Sequence, residues 1–227
     1  MTGAADVQDR LALRLESGGF ALGAFGFMAG AVLSMIDRGP INLVFAVGAI
    51  LFTTAAWVQW RTSVHHYPVR TLSRMQAETD IKNPDWSSAI IQLLGTLYFN
   101  AMTIKALTID PLDMFSYNRH VWKPDMIGSA LFLISSLIAF HPVSRQRRHR
   151  LVSRRSWYIV CANLLGSVFF AISALGSKAT IYGTLVHVSW SNVGTLLGGL
   201  CFFISALLLW PPDEHHRRTG DTSTEDK

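Results

Sequence analysis

Three carboxamides, Gln92, Asn100 and Asn163, stand inside long runs of apolar residues. An amide in such surroundings must find a partner, so these side chains either hydrogen-bond between helices or line a polar path. Gln92 and Asn163 each precede a glycine, Gly95 or Gly166, by three residues, and Asn100 follows Phe99 directly. Ionisable side chains would point to a proton or ion relay, because a charge held in a membrane costs several kcal/mol and is retained for function. No Asp, Glu, Arg or His falls within the apolar runs, and Lys105 stands near a run's end, where its stem can snorkel to water. This argues against a pump built on intramembrane carboxylates. Paths for Na⁺ or a neutral solute, lined by carbonyls and hydroxyls, stay open.

Outside the runs, Asp110, Asp113, His120 and Asp125 gather with Arg119 and Lys123 in one connecting segment. A cation or lipid headgroup could be held there, but the spacing fits no metal pattern and the mixed charge reads as a solvated loop. His65-His66 and His215-His216 are adjacent pairs that diverge on a helix and do not chelate as an i, i+4 pair would. Cys161 and Cys201 lie in different runs at different depths and read as unpaired small apolar fillers. The sequence contains no Gly-rich phosphate loop, Gly-x-Ser-x-Gly elbow or His-Glu-x-x-His helix, so it offers no catalytic, cofactor or metal residues.

The elements that must position these residues follow from the apolar runs. Half of the 227 residues are hydrophobic and only 15% are charged, well below the share usual in water-soluble chains. Six runs approach the length that crosses a ~30 Å hydrocarbon core: residues 19–36, 43–60, 86–107, 126–140, 157–176 and 193–210. The fourth is the shortest, and Trp122 and Pro124 extend it outward, proline suiting a first helical turn. The expected fold is therefore all-α, a polytopic membrane protein with six transmembrane helices. Arg10 and Arg14 ahead of the first run, with Ala29-Gly30-Ala31 inside it, raise the alternative of a cleaved leader. Asp6, Asp9 and Glu16 suit such a leader poorly.

Positive charge then sets the orientation. With the N-terminus inside, fifteen of the twenty Lys and Arg residues lie on the inner side, and five (Arg38, Lys105, Arg119, Lys123 and Lys178) lie outside. The chain reads as a multi-pass protein of the bacterial cytoplasmic (inner) membrane with both termini cytoplasmic. Arg145, Arg147, Arg148, Arg150, Arg154 and Arg155 form the densest basic segment. It reads as a topological anchor with attraction for anionic lipid headgroups, and not as a nucleic-acid site. Trp60, Trp86, Phe140, Trp157 and Trp210 fall where helices should meet the same interface.

The clearest sequence pattern is internal. Leu22-Gly23-Ala24-Phe25-Gly26-Phe27 returns as Leu94-Gly95-Thr96-Leu97-Tyr98-Phe99 and as Leu165-Gly166-Ser167-Val168-Phe169-Phe170. In the second helix of each pair a glycine precedes a phenylalanine by four residues: Gly48 and Phe52, Gly128 and Phe132, Gly198 and Phe202, with Gly194 starting a rival register in the last. Glycine and phenylalanine four apart share a helical face, so a second backbone can approach over the glycine while the ring packs beside it. Three like hairpins follow: 19–60, 86–142 and 157–211. They are separated by a linker, 61–85, and the basic loop, 143–156, and flanked by an N-terminal segment, 1–18, and a disordered tail, 212–227. Such hairpins all point the same way across the bilayer, as parallel and not inverted repeats.

The segment Gly95-Thr96-Leu97-Tyr98-Phe99-Asn100-Ala101-Met102-Thr103, together with Val121-Trp122-Lys123-Pro124-Asp125-Met126-Ile127-Gly128-Ser129-Ala130-Leu131-Phe132-Leu133-Ile134-Ser135-Ser136, resembles the YrhK-like bacterial membrane proteins. The likeness is best over residues 86–142, fair over 157–211 and faint in the first hairpin, where the Trp-Pro-Asp segment is missing. It implies an inner-membrane protein whose recurring unit is one hairpin, and it supplies no catalytic residues. The expected role is a non-enzymatic component that associates with lipid, with a membrane-protein partner or with copies of itself. The alternatives are a small channel or carrier along the repeat axis, past Gln92, Asn100 and Asn163, and an enzyme acting at the outer connecting segment.

Overall fold

The computed structural model describes residues 2–63, 83–110, 113–148 and 153–211. Six long helices account for most of them: α1 (Thr2–Met35), α2 (Ile41–Ser63), α3 (Pro84–Ala106), α5 (Lys123–Arg148), α6 (Arg154–Gly176) and α7 (Val188–Leu209). A single turn, α4 (Met114–Tyr117), and a π-helical turn, Asn118–Trp122, lead without a break into α5. Among the described residues the only β contact is an isolated bridge, Ala179 to Leu185, in the α6–α7 connection.

Local signals fix the helix starts. Asn83 caps α3 by accepting the amides of Asp85 and Trp86 at 3.0 and 3.4 Å, with Pro84 in the first turn. Ser153 caps α6 through the Ser156 amide at 3.1 Å. The short turn from α1 to α2 reverses through Asp37 and Gly39, both at positive φ (50° and 78°), which glycine adopts freely and aspartate tolerates. Ahead of α5, Pro124 has no N–H for the i→i−4 ladder. The backbone widens just before it, so that the Lys123 amide donates to Asn118 O, five residues back.

Each long helix packs antiparallel on two neighbours, in the order α1, α2, α3, α5, α6, α7 and back to α1, so the bundle closes into a ring. The helix ends Met35 and Ile41, Ala106 and Lys123, and Gly176 and Val188 mark one end of the ring, hereafter the turn end; Ser63, Pro84, Arg148 and Arg154 mark the other, the linker end. Glycines make the seams. A Cβ on Gly26 would stand 2.7 Å from the Gly48 Cα, and one on Gly23 would stand 2.8 Å from the Phe52 backbone nitrogen. Contacts of the same kind join α3 to α5, where a Cβ on Gly128 would lie 3.1 Å from Gly95 O, and α6 to α7, where one on Gly166 would lie 3.1 Å from Gly198 O. Gly194 shares the α6–α7 seam: a Cβ there would lie 2.8 Å from Phe169 O, so both glycine registers read from the sequence are used.

The distribution of polarity runs opposite to that of a water-soluble bundle. Ser17, Thr96, Thr103, Ser129, Ser135 and Ser167 are wholly or almost wholly buried. Leu22, Ile50, Leu97, Leu137, Leu165 and Leu207 lie exposed, half or more of Leu22 and Leu207 being uncovered at 59% and 53%. An apolar girdle on every long helix, with hydroxyls turned inward to hydrogen-bond, is the arrangement hydrocarbon solvent selects. Five stretches are long and apolar enough to cross a membrane: Val7–Met35, Ile41–Ser63, Met114–Arg147, Arg154–Gly176 and Val188–Leu209. Helix α3 has the 23-residue length of α2 and α6 but is not among these five. Its Ser87, Gln92, Thr96 and Thr103 are buried within the ring, while its outer face carries exposed Leu94, Leu97 and Ile104.

Two sequence expectations need correction. The segment ahead of the first apolar run is helical from Thr2, so Glu16 lies within a candidate span and is buried. The segment carrying His120 and Asp125 is not a solvated loop but helix continuous with α5, which brings a second carboxylate, Asp125, into the bundle. Apolar run length marks where hydrocarbon contact starts, whereas backbone hydrogen bonding carries a helix on through polar residues that have an interior to face. The His65-His66 and His215-His216 pairs, Arg150, most of the 61–85 linker and the 212–227 tail lie outside the described residues.

Candidate functional site: two polar cavities divided by a phenylalanine plug

Six phenylalanines meet on the ring axis. Phe27, Phe99 and Phe170, from the first helix of each hairpin, form a triangle with ring centroids 6.2, 5.8 and 5.5 Å apart. Phe52, Phe132 and Phe202, from the second helices, form another with separations of 5.7, 5.7 and 5.6 Å. The layers interlock, since Phe27 to Phe52, Phe99 to Phe132 and Phe170 to Phe202 are 5.8, 5.1 and 5.2 Å apart. All six rings are buried. The glycines four residues before them admit this: a Cβ on Gly198 would collide with the Phe170 ring at 2.2 Å, and one on Gly95 would meet Phe132 at 2.8 Å.

A cavity lies on either side of this plug. At the turn end, a partly open cavity of about 220 Å³ lies above Phe27, Phe99 and Phe170, with every long helix contributing to its wall. At the linker end, about 70 Å³ is enclosed against Phe20, Phe52 and Phe202.

The linker-end cavity collects Glu16, Gln59, Gln92 and Asn163. Two of the three amides singled out from the sequence therefore come together. Gln92 Oε1 accepts from Ser135 Oγ at 3.4 Å, and the same hydroxyl donates to Ser88 O at 2.7 Å. The main chain of Asn163 accepts from Ser167 and Ser136 at 3.0 and 3.4 Å, and those hydroxyls bond each other at 2.7 Å. Asn100 is elsewhere, in the α2–α3 seam. Its Nδ2 donates to Thr53 Oγ1 at 2.7 Å, while its Oδ1 is buried without a partner.

The turn-end cavity is the better-built site. Asp125 lines it, and Asp125 Oδ2 accepts from Ser177 Oγ at 3.0 Å. Thr103, Ser173 and Thr195 add hydroxyls to the wall. Ser173 and Thr195 bond each other at 2.7 Å, and the Ser173 hydroxyl also reaches Ser191 O at 2.7 Å. Tyr117 and Val121, from the α4 and π-helical segment, line the same cavity. That segment is pinned across the mouth: Asn118 Nδ2 donates to Ala179 O at 2.8 Å and Asn118 Oδ1 accepts from Ala179 N at 2.9 Å. Trp122 Nε1 donates to Ala174 O at 3.0 Å, and the Lys178 ammonium sits 5.0 Å above the same indole.

Of the other residues in this connection, Asp113 caps α4 by accepting the Ser116 amide at 2.9 Å, while Arg119, His120 and Lys123 are exposed. The Ser116 hydroxyl and amide hold the Asp113 carboxyl below the ordinary carboxylate range. Among the described residues no three His, Cys, Asp or Glu side chains come close enough to share a metal ion. Cys161 and Cys201 are free thiols.

At the linker end the basic cluster divides between two helices. Arg145, Arg147 and Arg148 belong to the last turns of α5, Arg154 and Arg155 to the first turn of α6. The Arg147 guanidinium lies 4.3 Å over the Trp157 ring, and Arg155 donates to the carbonyls of Leu208 and Trp210, which the end of α7 leaves open.

The reading that no carboxylate enters the spans missed Asp125 and Glu16. The signal was nonetheless present, since Asp125 precedes Gly128 by three residues and Glu16 precedes Gly23 by seven, each spacing returning to the seam face of its helix. Phe45, Asp125 and Thr195 each stand seven residues before the second-helix phenylalanine, and all three line the turn-end cavity.

Comparison with known proteins gave no match to a family model, a curated protein or a solved structure.

Proposed function

We propose that the chain crosses the bacterial cytoplasmic membrane six times, as three hairpins of one repeated kind with both ends in the cytoplasm. Its role there is that of a non-enzymatic component that associates with lipid and with a protein partner or a second copy of itself. The plug carries this reading: two layers of interlocked rings fill the axis between the two cavities. The apolar girdle and the arginines at the linker end support contact with acyl chains and anionic headgroups. The like placement of the Gly-Phe pairs supports the repeat, and with it kinship to the YrhK-like proteins, whose unit is one such hairpin. Helix α3 is included as a span because its polar side chains face the ring while apolar ones face outward.

Purified protein in liposomes is expected to pass K⁺, Na⁺ and glycerol no faster than empty vesicles, and to be recovered from membranes with a stable partner or as an oligomer. A cysteine replacing Arg147 is expected to react with a membrane-impermeant maleimide only in inverted vesicles. Labelling in intact cells would overturn the orientation, and flux well above empty vesicles would overturn the role. The cavities that flank the plug favour a second reading, a carrier in its closed state. Flux that rises when Phe27 and Phe170 are both replaced by alanine would support it.

A further inference from the structure

We propose that the turn-end cavity binds a small amphipathic organic cation, of the alkylammonium class, with Asp125 as its counter-charge and Phe27, Phe99 and Phe170 as its apolar floor.

Charge leads the argument. Asp125 lines the cavity within a candidate membrane span, and among the described residues its side-chain hydrogen-bond partner is the Ser177 hydroxyl at 3.0 Å. A carboxylate in such a place is costly unless a cation answers it. Among the described residues that line the cavity none is Lys, Arg or His: Lys178 is drawn over the Trp122 ring, and Arg119 and Lys123 are exposed outside the cavity. An occupant carrying positive charge would supply that cation.

Size and lining define the rest of the guest. About 220 Å³ is below the ~300 Å³ at which pockets for drug-sized molecules begin, so the guest is small. Three phenylalanines under the cavity and Phe45 and Met102 at its sides favour an apolar body, and aromatic rings also attract a cation held near them. An ammonium head brings several N–H donors. Asp125 and the lone pairs of the Ser177 and Thr103 hydroxyls can accept them, the Ser177 proton being shared between Asp125 Oδ2 and Ala174 O at 3.0 and 3.1 Å and the Thr103 proton going to Phe99 O at 2.8 Å. A bare divalent ion is the poorer guest, since it needs six or more oxygen ligands and the floor offers none. A neutral or anionic guest would leave an ionised Asp125 uncompensated.

The test uses the full chain in detergent or nanodiscs, with butylammonium as probe and n-butanol as its neutral isostere. Calorimetric titration is expected to show saturable binding of butylammonium that is about tenfold or more weaker in Asp125→Asn, the loss that removal of a charge-assisted hydrogen bond represents. Ser177→Ala, which keeps the carboxylate, is expected to lose less, and Glu16→Gln, in the other cavity, to bind as wild type. A second measurement needs no variant: modification of Asp125 by a hydrophobic carbodiimide, followed by mass spectrometry, is expected to slow in the presence of butylammonium and not of butanol. Equal binding of butanol and butylammonium, unchanged affinity in a folded Asp125→Asn, absence of butylammonium binding, or no protection from carbodiimide would each overturn the proposal.

Discussion

Gly26→Ala is a substitution this molecule should tolerate poorly for its size. The added methyl would stand 2.7 Å from the Gly48 Cα, and backbone cannot swing aside as a side chain can. The α1–α2 seam must part, at a cost of about 1–3 kcal/mol typical of overpacking, read as a lowered thermal midpoint in detergent. Gly18→Ala is the control: its nearest neighbour would be the Trp210 ring at 3.7 Å, ordinary contact, so no loss is expected. Thr53→Val removes the acceptor of the Asn100 amide at constant shape and leaves both ends of that carboxamide unpaired in the α2–α3 seam. The expected loss is about 1–2 kcal/mol, the upper range for an interhelical hydrogen bond in a membrane, and Thr53→Ser should recover most of it. At this scale the glycines and phenylalanines of the seams were readable from spacing alone, because a four-residue interval places both on one face whatever surrounds them. Asp125 carried the same kind of signal, three residues before Gly128, but the role of Asn100 was not readable. Whether an amide pairs between helices or faces a cavity depends on how its helix is rotated about its own axis.

Between α3 and α5 the chain builds a cap for the turn-end cavity, and its stability should respond to acid. The carboxyl of Asp113, just ahead of the span, has a depressed folded pKa, so its contribution to α4 is complete above the unfolded value, about 3.9, and is lost as pH falls through the folded one. Exchange of the Ser116 amide, corrected for its intrinsic rate, is expected to quicken over that acid range in the wild type. In Asp113→Ala it should already be quick at neutral pH and show no such step. Asn118→Leu removes the paired bonds to Ala179 and is expected to speed exchange in residues 114–122 and 178–180 together, because one side chain fastens both segments. The existence of the long helices was legible in their apolar runs, and the proline ahead of α5 marked a start. The lengths of α1 and of the helical lead-in to α5 were not, because their polar residues look into the bundle or lie beyond the hydrocarbon, and neither circumstance changes run length.

Across the whole molecule the plug concentrates stability at one point. Phe52 touches Phe20, Phe27, Phe132 and Phe202, four rings from its own hairpin partner and two further helices. Phe52→Ala is therefore expected to cost about 3–5 kcal/mol and to lower the midpoint further than any single seam hydroxyl. Pairing within each hairpin could be foreseen from the sequence; the closure of α7 against α1 could not, since no local motif reports which helices of different hairpins will meet. That closure has a genetic corollary. A gene rearranged to start at Pro84, run through Pro211 and return by a flexible tether to Thr2, ending at Ser63, would preserve all six neighbour pairs and the direction of every helix. The rearranged product is expected to insert and melt close to its parent. Order of synthesis and order in space are uncoupled, and each of three starting points traces the same circle.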